Sequence, residues 1–343
     1  MPKTSRPTRS RAGLRDTFGP GAFHRPARWE GCRVKPVRVA NLPHPIPYQG
    51  SKRLLSGSIL GVLAGRRVRR LYEPFAGSAA ITLAASHRET AREFIIGDTL
   101  APLIEIWRSI LSDPAKLAAE YARIWKQQLE SDAGYYMKIR EEFNCHSNPA
   151  QLLYLLARCV KNSPRWNREG KFNQSEDKRR LGMQPEKMER AIQGASCLLR
   201  GKTEAVAGDF EKTLSSAGPS DVVYMDPPWE GTSGGRDPRY HSGLARERLV
   251  SALRDLNRRC VPWILSYDGR CGDKTYGEPL PVDELQAKHL ELEAGRSSQA
   301  TLNGVVAVTV ESLYVSVSLA PKAEARHRQK QASLLDRVGQ SAG

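Results

Sequence analysis

None of the six cysteines in this sequence, at 32, 145, 159, 197, 260 and 271, belongs to a C-x-x-C pair. Thiols scattered this way fit neither a zinc site nor a disulfide framework, so no metal is expected, and reduced thiols point to the cytoplasm. No apolar run reaches about 18 residues, which excludes a helix spanning a bilayer. The first residues are basic but carry no apolar stretch, unlike a secretory leader. Acidic residues are in short supply: 37 Asp and Glu stand against 53 Lys and Arg, a formal charge of +16. Such an excess suits a polyanionic partner, because neutralising phosphates drives non-specific nucleic-acid binding. A merely solubilising surplus is the alternative.

Residues 1–43 concentrate the imbalance, with Arg6, Arg9, Arg11, Arg15, Arg25, Arg28, Arg33, Lys35 and Arg38 set against Asp16 and Glu30. With Pro and Gly frequent and apolar periodicity absent, this reads as a weakly ordered basic arm, and 321–343 as a similar tail. Between them, strand and helix patterns alternate. Val68–Glu73 and Phe94–Ile96 read as strands, with helices over Ser78–Arg88 and Leu100–Leu111. This alternation implies right-handed βαβ units and a parallel sheet. From Asp113-Pro114, an N-cap followed by an N1 proline, the pattern turns helical over 114–130, 132–143, 149–161 and 185–200, broken by a polar loop at 162–184. Strands resume at Ala205–Ala207, Val222–Met225 and Trp263–Ser266, with a helix over Leu244–Arg259. Lys288–Glu293 and Val305–Val317, joined through Asn303-Gly304, read as an antiparallel pair. The expected architecture is α/β: a mostly parallel sheet with an antiparallel edge hairpin, built from 44–111 and 201–320, plus a helical insertion at 112–200.

The chemistry-bearing residues fall at strand ends. Tyr72-Glu73-Pro74-Phe75-Ala76-Gly77-Ser78 lies where the first strand turns into its helix, the place where open α/β sheets bind ligands. One glycine in place of three favours an adenosyl ligand over a dinucleotide pyrophosphate. Asp98 ends the second strand 21 residues beyond Gly77, near the offset at which such folds put a carboxylate on ribose hydroxyls. Capping the next helix is its plain alternative. Gly208-Asp209-Phe210 offers an acid and an aromatic to an adenine ring, although the tripeptide is common.

The most informative motif is Asp226-Pro227-Pro228-Trp229, directly after the apolar run Val222–Met225. The carboxylate can accept hydrogens from an exocyclic amine. The prolines stiffen the turn and leave carbonyls without local donors, and Trp229 offers a flat face to a base. Rigid acid-proline turns also occur as plain loops, so the tetrapeptide gains weight only from its surroundings.

Taken in order, these motifs resemble the Dam-type, class alpha (D12) site-specific DNA adenine-N6 methyltransferases. The resemblance runs from about Pro45 to Val317. It includes Pro47-Tyr48-Gln49-Gly50-Ser51-Lys52-Arg53, Glu73–Ser78, Gly97-Asp98, Asp209-Phe210 and Asp226–Trp229, together with the basic segment Arg165-Trp166-Asn167-Arg168-Glu169-Gly170-Lys171-Phe172-Asn173. It implies a Rossmann-like S-adenosylmethionine-dependent methyltransferase fold and a target-recognition role for 112–200. Tyr48, Lys52, Phe75, Ala76, Gly77, Asp98, Asp209, Phe210 and Asp226 would bind S-adenosylmethionine, Lys52 by pairing with the carboxylate of its methionine part. Asp226, Pro227, Pro228 and Trp229 would form the catalytic motif. Tyr48 stands where familiar members carry Trp, and Trp229 where most carry Tyr, which removes a phenol hydroxyl.

The expected reaction is methyl transfer to the N6 amine of adenine in double-stranded DNA, with the base flipped out of the duplex and stacked on Trp229. Arg165, Asn167, Arg168, Lys171 and Asn173 are the expected DNA contacts. Arg suits guanine and Asn suits adenine, while phosphate contact is the commoner use of either. Trp166 either intercalates or packs. A monomer, cytoplasmic and associated with the nucleoid through DNA, is expected, with a cognate restriction endonuclease as the partner a restriction-linked member would have. Two alternatives stay open: an N4-cytosine DNA methyltransferase, and a non-catalytic nucleic-acid-binding protein retaining the fold. An RNA adenine methyltransferase fits less well, because Gly77 precedes Asp226.

Overall fold

A computed structural model describes residues 33–34, 37–228, 244–271, 274–296 and 308–319. The arm before residue 33, Trp229, the Asn303-Gly304 loop and the tail 321–343 lie outside the described residues.

In chain order the elements are β1 (Arg33–Val34), α1 (Ser56–Gly61), β2 (Val68–Glu73), α2 (Ala80–His87), β3 (Ala91–Asp98) and α3 (Ala101–Ser112). The helical block follows as α4 (Pro114–Glu130), α5 (Tyr135–His146), α6 (Pro149–Arg158) and α7 (Pro185–Leu199). The sheet resumes with β4 (Thr203–Ala207), α8 (Phe210–Leu214), β5 (Val222–Met225), α9 (Arg246–Arg258), β6 (Trp263–Cys271), β7 (Lys274–Tyr276), β8 (Ala287–Arg296) and β9 (Val308–Ser316).

The strands form one sheet in the order β1-β8-β9-β6-β5-β2-β3-β4, with β7 paired to β6. β4, β3, β2, β5 and β6 are mutually parallel. β9 runs antiparallel to β6, and β8 antiparallel to β9. From β2 the chain winds outward through β3 to β4, then returns to β5 on the other side of β2. The order therefore reverses between β2 and β5, the point at which such sheets hold a ligand crevice beyond the carboxyl ends of their strands.

Both faces of the sheet are buried, as parallel strands require. Along β2, Leu71 packs into one core and its neighbour Tyr72 into the other. The first core holds Ile81, Leu83, Ile104 and Trp107 from α2 and α3; the second holds Leu249, Leu253 and Leu256 from α9. Each large side chain so buried stabilises the fold by about 1.5–3 kcal/mol. The first core continues without a break into the helical block through Leu117, Tyr121, Leu152 and Met188. The insertion is thus anchored on the same apolar mass that fixes α2 and α3.

Helix signals mark several boundaries. Asp113 caps α4 by accepting from the Lys116 N–H at 3.1 Å, and Asn148 caps α6 through the N–H groups of Ala150 and Gln151, each before a proline at the helix start. Several expected bounds shift. The helix expected over 132–143 spans Tyr135–His146, and the one expected over 149–161 stops at Arg158. There Cys159 turns to extended backbone, and Lys161 and Asn162 take positive φ. The arm also contributes to the fold: Arg33–Val34 pairs parallel to β8, while Val39 and Leu42 are buried in the first core. The short strand β7 and the helices α1 and α8 were not expected. They are too short for a periodic apolar pattern to repeat.

Candidate active site at the sheet switch point

β2 delivers Glu73 to the crevice and β5 delivers Asp226. The turn after β2 is held in place by hydrogen bonds to its backbone. The Ala76 N–H donates to Gly97 O at 2.8 Å, the Gly77 N–H to Asp98 Oδ2 at 3.1 Å, and Trp107 Nε1 to Gly77 O at 3.1 Å. Gly77 has φ +47°, in the left-handed region where a side chain is strained, and the Tyr48 ring lies 3.5 Å from where its Cβ would sit. Gly97 is glycine for a different reason. A Cβ there would collide with Thr213 of α8, which packs directly on β3.

Asp98 is occupied on both oxygens. Besides Gly77, it accepts from the Leu100 N–H at 3.0 Å. Burial pushes its carboxyl above the usual range, and these two donors oppose that. Asp98 thus tightens the start of α3 and at the same time fixes the glycine turn. Asp98→Ala is expected to lower the unfolding free energy by about 1–3 kcal/mol for each N–H left without a partner, measured by urea unfolding.

Lys52 enters from a short 3-10 turn, Lys52–Leu54, that precedes β2. Ser51 Oγ, next to it, accepts from Ser78 Oγ at 2.8 Å, which ties this turn to the glycine loop. The buried Lys52 ammonium lies 3.0 Å from Asp226 Oδ1 and 3.2 Å from Glu311 Oε2. Burial alone would lower the Lys52 pKa, but the two carboxylates outweigh it and hold the amine well above its ordinary range. Lys52 is therefore a cation at any physiological pH. Asp226 is pushed up to about 6 by burial; Lys52 opposes the rise and Glu311 adds to it. Glu73 is pushed up to about 7, again by burial, although its Oε2 accepts the Thr82 N–H at 2.8 Å in the first turn of α2. Two carboxylates sharing one ammonium give the cluster a net formal charge of −1 at neutral pH.

Further along the crevice, Phe75 stacks on Phe210 with ring centroids 5.2 Å apart and planes 27° apart. Phe210 is itself only 2% exposed, with the Arg248 guanidinium 5.0 Å over its ring. Asp209 caps α8 through the Glu211 N–H and forms a two-pronged pair with Arg248 at 2.6 and 2.9 Å. Burial pushes Asp209 up, but Arg248 outweighs it and the carboxyl lies below its usual range. The half-buried Phe75 is therefore the more accessible face of this aromatic pair.

The basic segment of the insertion folds as a small hairpin. Trp166 pairs with Phe172, and the Asn167 N–H donates to Lys171 O at 2.9 Å. Asn167 Oδ1 accepts the N–H groups of Glu169 and Lys171, so this side chain builds the tip. Trp166 is 4% exposed and packs edge-on against Phe143 and Phe172. It packs and does not project to intercalate. Asn144 clamps the strand by bonding both the N–H and the C=O of Phe172. Arg165, Arg168, Lys171 and Asn173 are exposed, with Lys171 3.3 Å from Glu169.

The structure thus gathers Tyr48, Lys52, Ala76, Gly77, Asp98 and Asp226 around one crevice and groups the exposed DNA candidates on the hairpin. Pro227 is buried behind Asp226, and Pro228 is half-buried. Two participants were missed by sequence reasoning. Glu311 lies in β9, far along the chain; its signal is a single acid inside the apolar run Val308–Val315. Arg248 looks from sequence like any helix-surface arginine.

Residues 48–297 match the D12 class N6 adenine-specific DNA methyltransferases. The chain belongs to this family. Over 214 residues it is 29% identical to a DNA N-6-adenine-methyltransferase of Escherichia phage P1, covering 59% of this chain and 27% of that protein. It is 28% identical over 246 residues to the Retron Ec67 DNA adenine methylase of Escherichia coli, covering 68% of this chain and 80% of that one. A Type II methyltransferase of Methanocaldococcus jannaschii, M.MjaIII, is 25% identical over 175 residues, covering 48% of this chain and 59% of that protein. The chain therefore spans little more than a quarter of the phage relative and four-fifths of the retron one. D12 membership implies S-adenosylmethionine as the methyl donor and DNA as the substrate. Among the described residues no helix is long and apolar enough to cross a membrane, and no group of three metal-ligating side chains occurs.

Proposed function

We propose that this D12 protein transfers a methyl group to the N6 amine of adenine in double-stranded DNA, as a monomer in the cytoplasm. The observation that carries the reading is the carboxylate of Asp226, held by Lys52 at the sheet's switch point. S-adenosylmethionine, when bound, supplies an electrophilic methyl on a cationic sulfur that leaves as a neutral thioether. The residues present fit such a donor. Gly77 in its left-handed turn allows close approach beneath Tyr48, Asp98 has a carboxylate at the end of β3, and Phe75 offers a ring face. The net negative Lys52–Asp226–Glu311 cluster favours a cation beside it.

Asp226 and the carbonyl of Pro227 would each accept one hydrogen of the target amine. The nitrogen lone pair is then withdrawn from the ring and turned toward the methyl carbon. The nitrogen briefly carries an extra proton, which the Asp226 carboxylate is placed to take. Lys52 fixes the carboxylate's orientation and remains a cation throughout. No covalent enzyme intermediate is needed, because orientation and electrostatics lower the barrier. Trp229 would stack on the flipped base.

The experiment is incubation of unmodified duplex DNA with the protein and methyl-labelled S-adenosylmethionine, followed by digestion to nucleosides. Label in N6-methyldeoxyadenosine is expected. Label in N4-methyldeoxycytidine would transfer the reading to the cytosine enzyme. Failure to bind S-adenosylmethionine in a calorimetric titration would favour a non-catalytic binding module.

The hairpin Arg165–Asn173 is proposed to grip the duplex. Arg168 and Lys171 sit at its tip and suit phosphates. Arg168→Ala and Lys171→Ala are each expected to reduce the slope of log K against log salt by about 1, measured by fluorescence anisotropy on duplex DNA.

A further inference from the structure

We propose that Glu311 is a positioning residue of the methyl-transfer site, holding Lys52 between two carboxylates so that Asp226 keeps an uncompensated negative charge. This inference rests on the reading of the crevice as a methyltransferase site. The geometry is that of a bridge. Lys52 lies 3.0 Å from Asp226 and 3.2 Å from Glu311, and the three side chains are only 9%, 21% and 14% exposed. Glu311 reaches the site from the antiparallel part of the sheet. The residue directly opposite it on β6 is Gly269, which puts no side chain beside it.

An ammonium paired with Asp226 alone would neutralise it. The carboxylate would then be a weaker acceptor for amine hydrogens, and the pair would offer no net charge to a cationic sulfur. With Glu311 sharing the ammonium, the sum is −1, and the lysine still fixes Asp226 without cancelling it. Such charges act strongly in a site shielded from water. Among the described residues, the groups facing Asp226 are Lys52 from the 3-10 turn, Glu311 from β9, Glu73 from β2 and the Tyr224 hydroxyl from β5. Of these, only Lys52 lowers the Asp226 pKa, and Glu311 works against it.

The test compares wild type with Glu311→Gln, after thermal unfolding shows that the variant folds. Three readouts are expected to move together. The single-turnover rate at neutral pH should fall on the order of tenfold or more. The acid limb of the rate, expected in wild type near the Asp226 value of about 6, should move to lower pH because one carboxylate no longer opposes Lys52. Calorimetry should show preference for S-adenosylmethionine over S-adenosylhomocysteine reduced by about tenfold, since only the former carries the sulfonium charge. Glu311→Asp keeps the charge and should keep both the limb and the preference. It also serves as the test if Glu311→Gln does not fold, and loss of both features in the aspartate variant would overturn the proposal. A Glu311→Gln enzyme with wild-type rate, limb and preference would overturn it as well, and would leave the methyltransferase reading intact. Failure of wild type to bind S-adenosylmethionine would remove that reading itself.

Discussion

Asp226→Ala is expected to fold, yet at saturating S-adenosylmethionine to transfer methyl groups on the order of 10³-fold more slowly than wild type. The fold should survive because β5 is held by its neighbours and not by this side chain: Val223, Tyr224 and Met225 pair with Trp263, Ile264 and Leu265 of β6, and all are buried. Removing the carboxylate leaves Lys52 paired with Glu311, so no buried charge is stranded. What is lost, on the proposed mechanism, is the acceptor that makes an adenine amine nucleophilic. A single-turnover assay with labelled donor separates this loss from any change in DNA affinity. A wild-type rate in the variant would remove Asp226 from the mechanism.

Lys52→Met is expected to produce the second large effect, and through a different route. It leaves the buried Asp226 and Glu311 carboxylates facing one another without a cation. Breaking a buried pair by removing one partner costs about 3–5 kcal/mol of stability. One carboxyl responds by holding its proton to higher pH, so the acid limb of the rate should rise above the wild-type value of about 6. Methyl transfer at neutral pH should fall accordingly. Adding Glu311→Gln to Lys52→Met removes the repulsion and should restore part of the stability, a coupling that a double-mutant cycle measures. Strict additivity of the two changes would show that the ammonium does not bridge the carboxylates.

Local chemistry explains what could be read before the fold was known. The strand-turn-helix at Glu73–Ser78 declares itself because a glycine and a proline interrupt β-branched and apolar runs, and Asp98 and Asp226 stand at the ends of such runs. The cap at Asp113 is legible for the same reason, since it precedes a proline suited to the first helical position. What escaped depends on contacts across the sheet. Glu311 meets Lys52 only because β9 lies two strands from β5 in the sheet order, which no spacing along the chain reveals. Asp209 and Phe210 were legible as a strand-end pair, but their engagement by Arg248 comes from α9. Trp166 reads as an aromatic in a basic loop, and only the packing of Phe143 from α5 makes it core.

The pH dependence of the single-turnover methylation rate, compared between wild type and Asp226→Asn, tests the central claim most directly, because the difference separates the ionisation of Asp226 from that of its neighbour Glu73. A carboxyl pushed up to about 6 is protonated below that value and ionised above it. The wild-type rate should therefore rise with pH through about 6 and level off above, while Lys52 stays charged throughout. In Asp226→Asn, whose amide does not titrate, any residual rate should lack that limb. A wild-type rate that is flat across this range, or the same limb surviving in Asp226→Asn, would contradict the account.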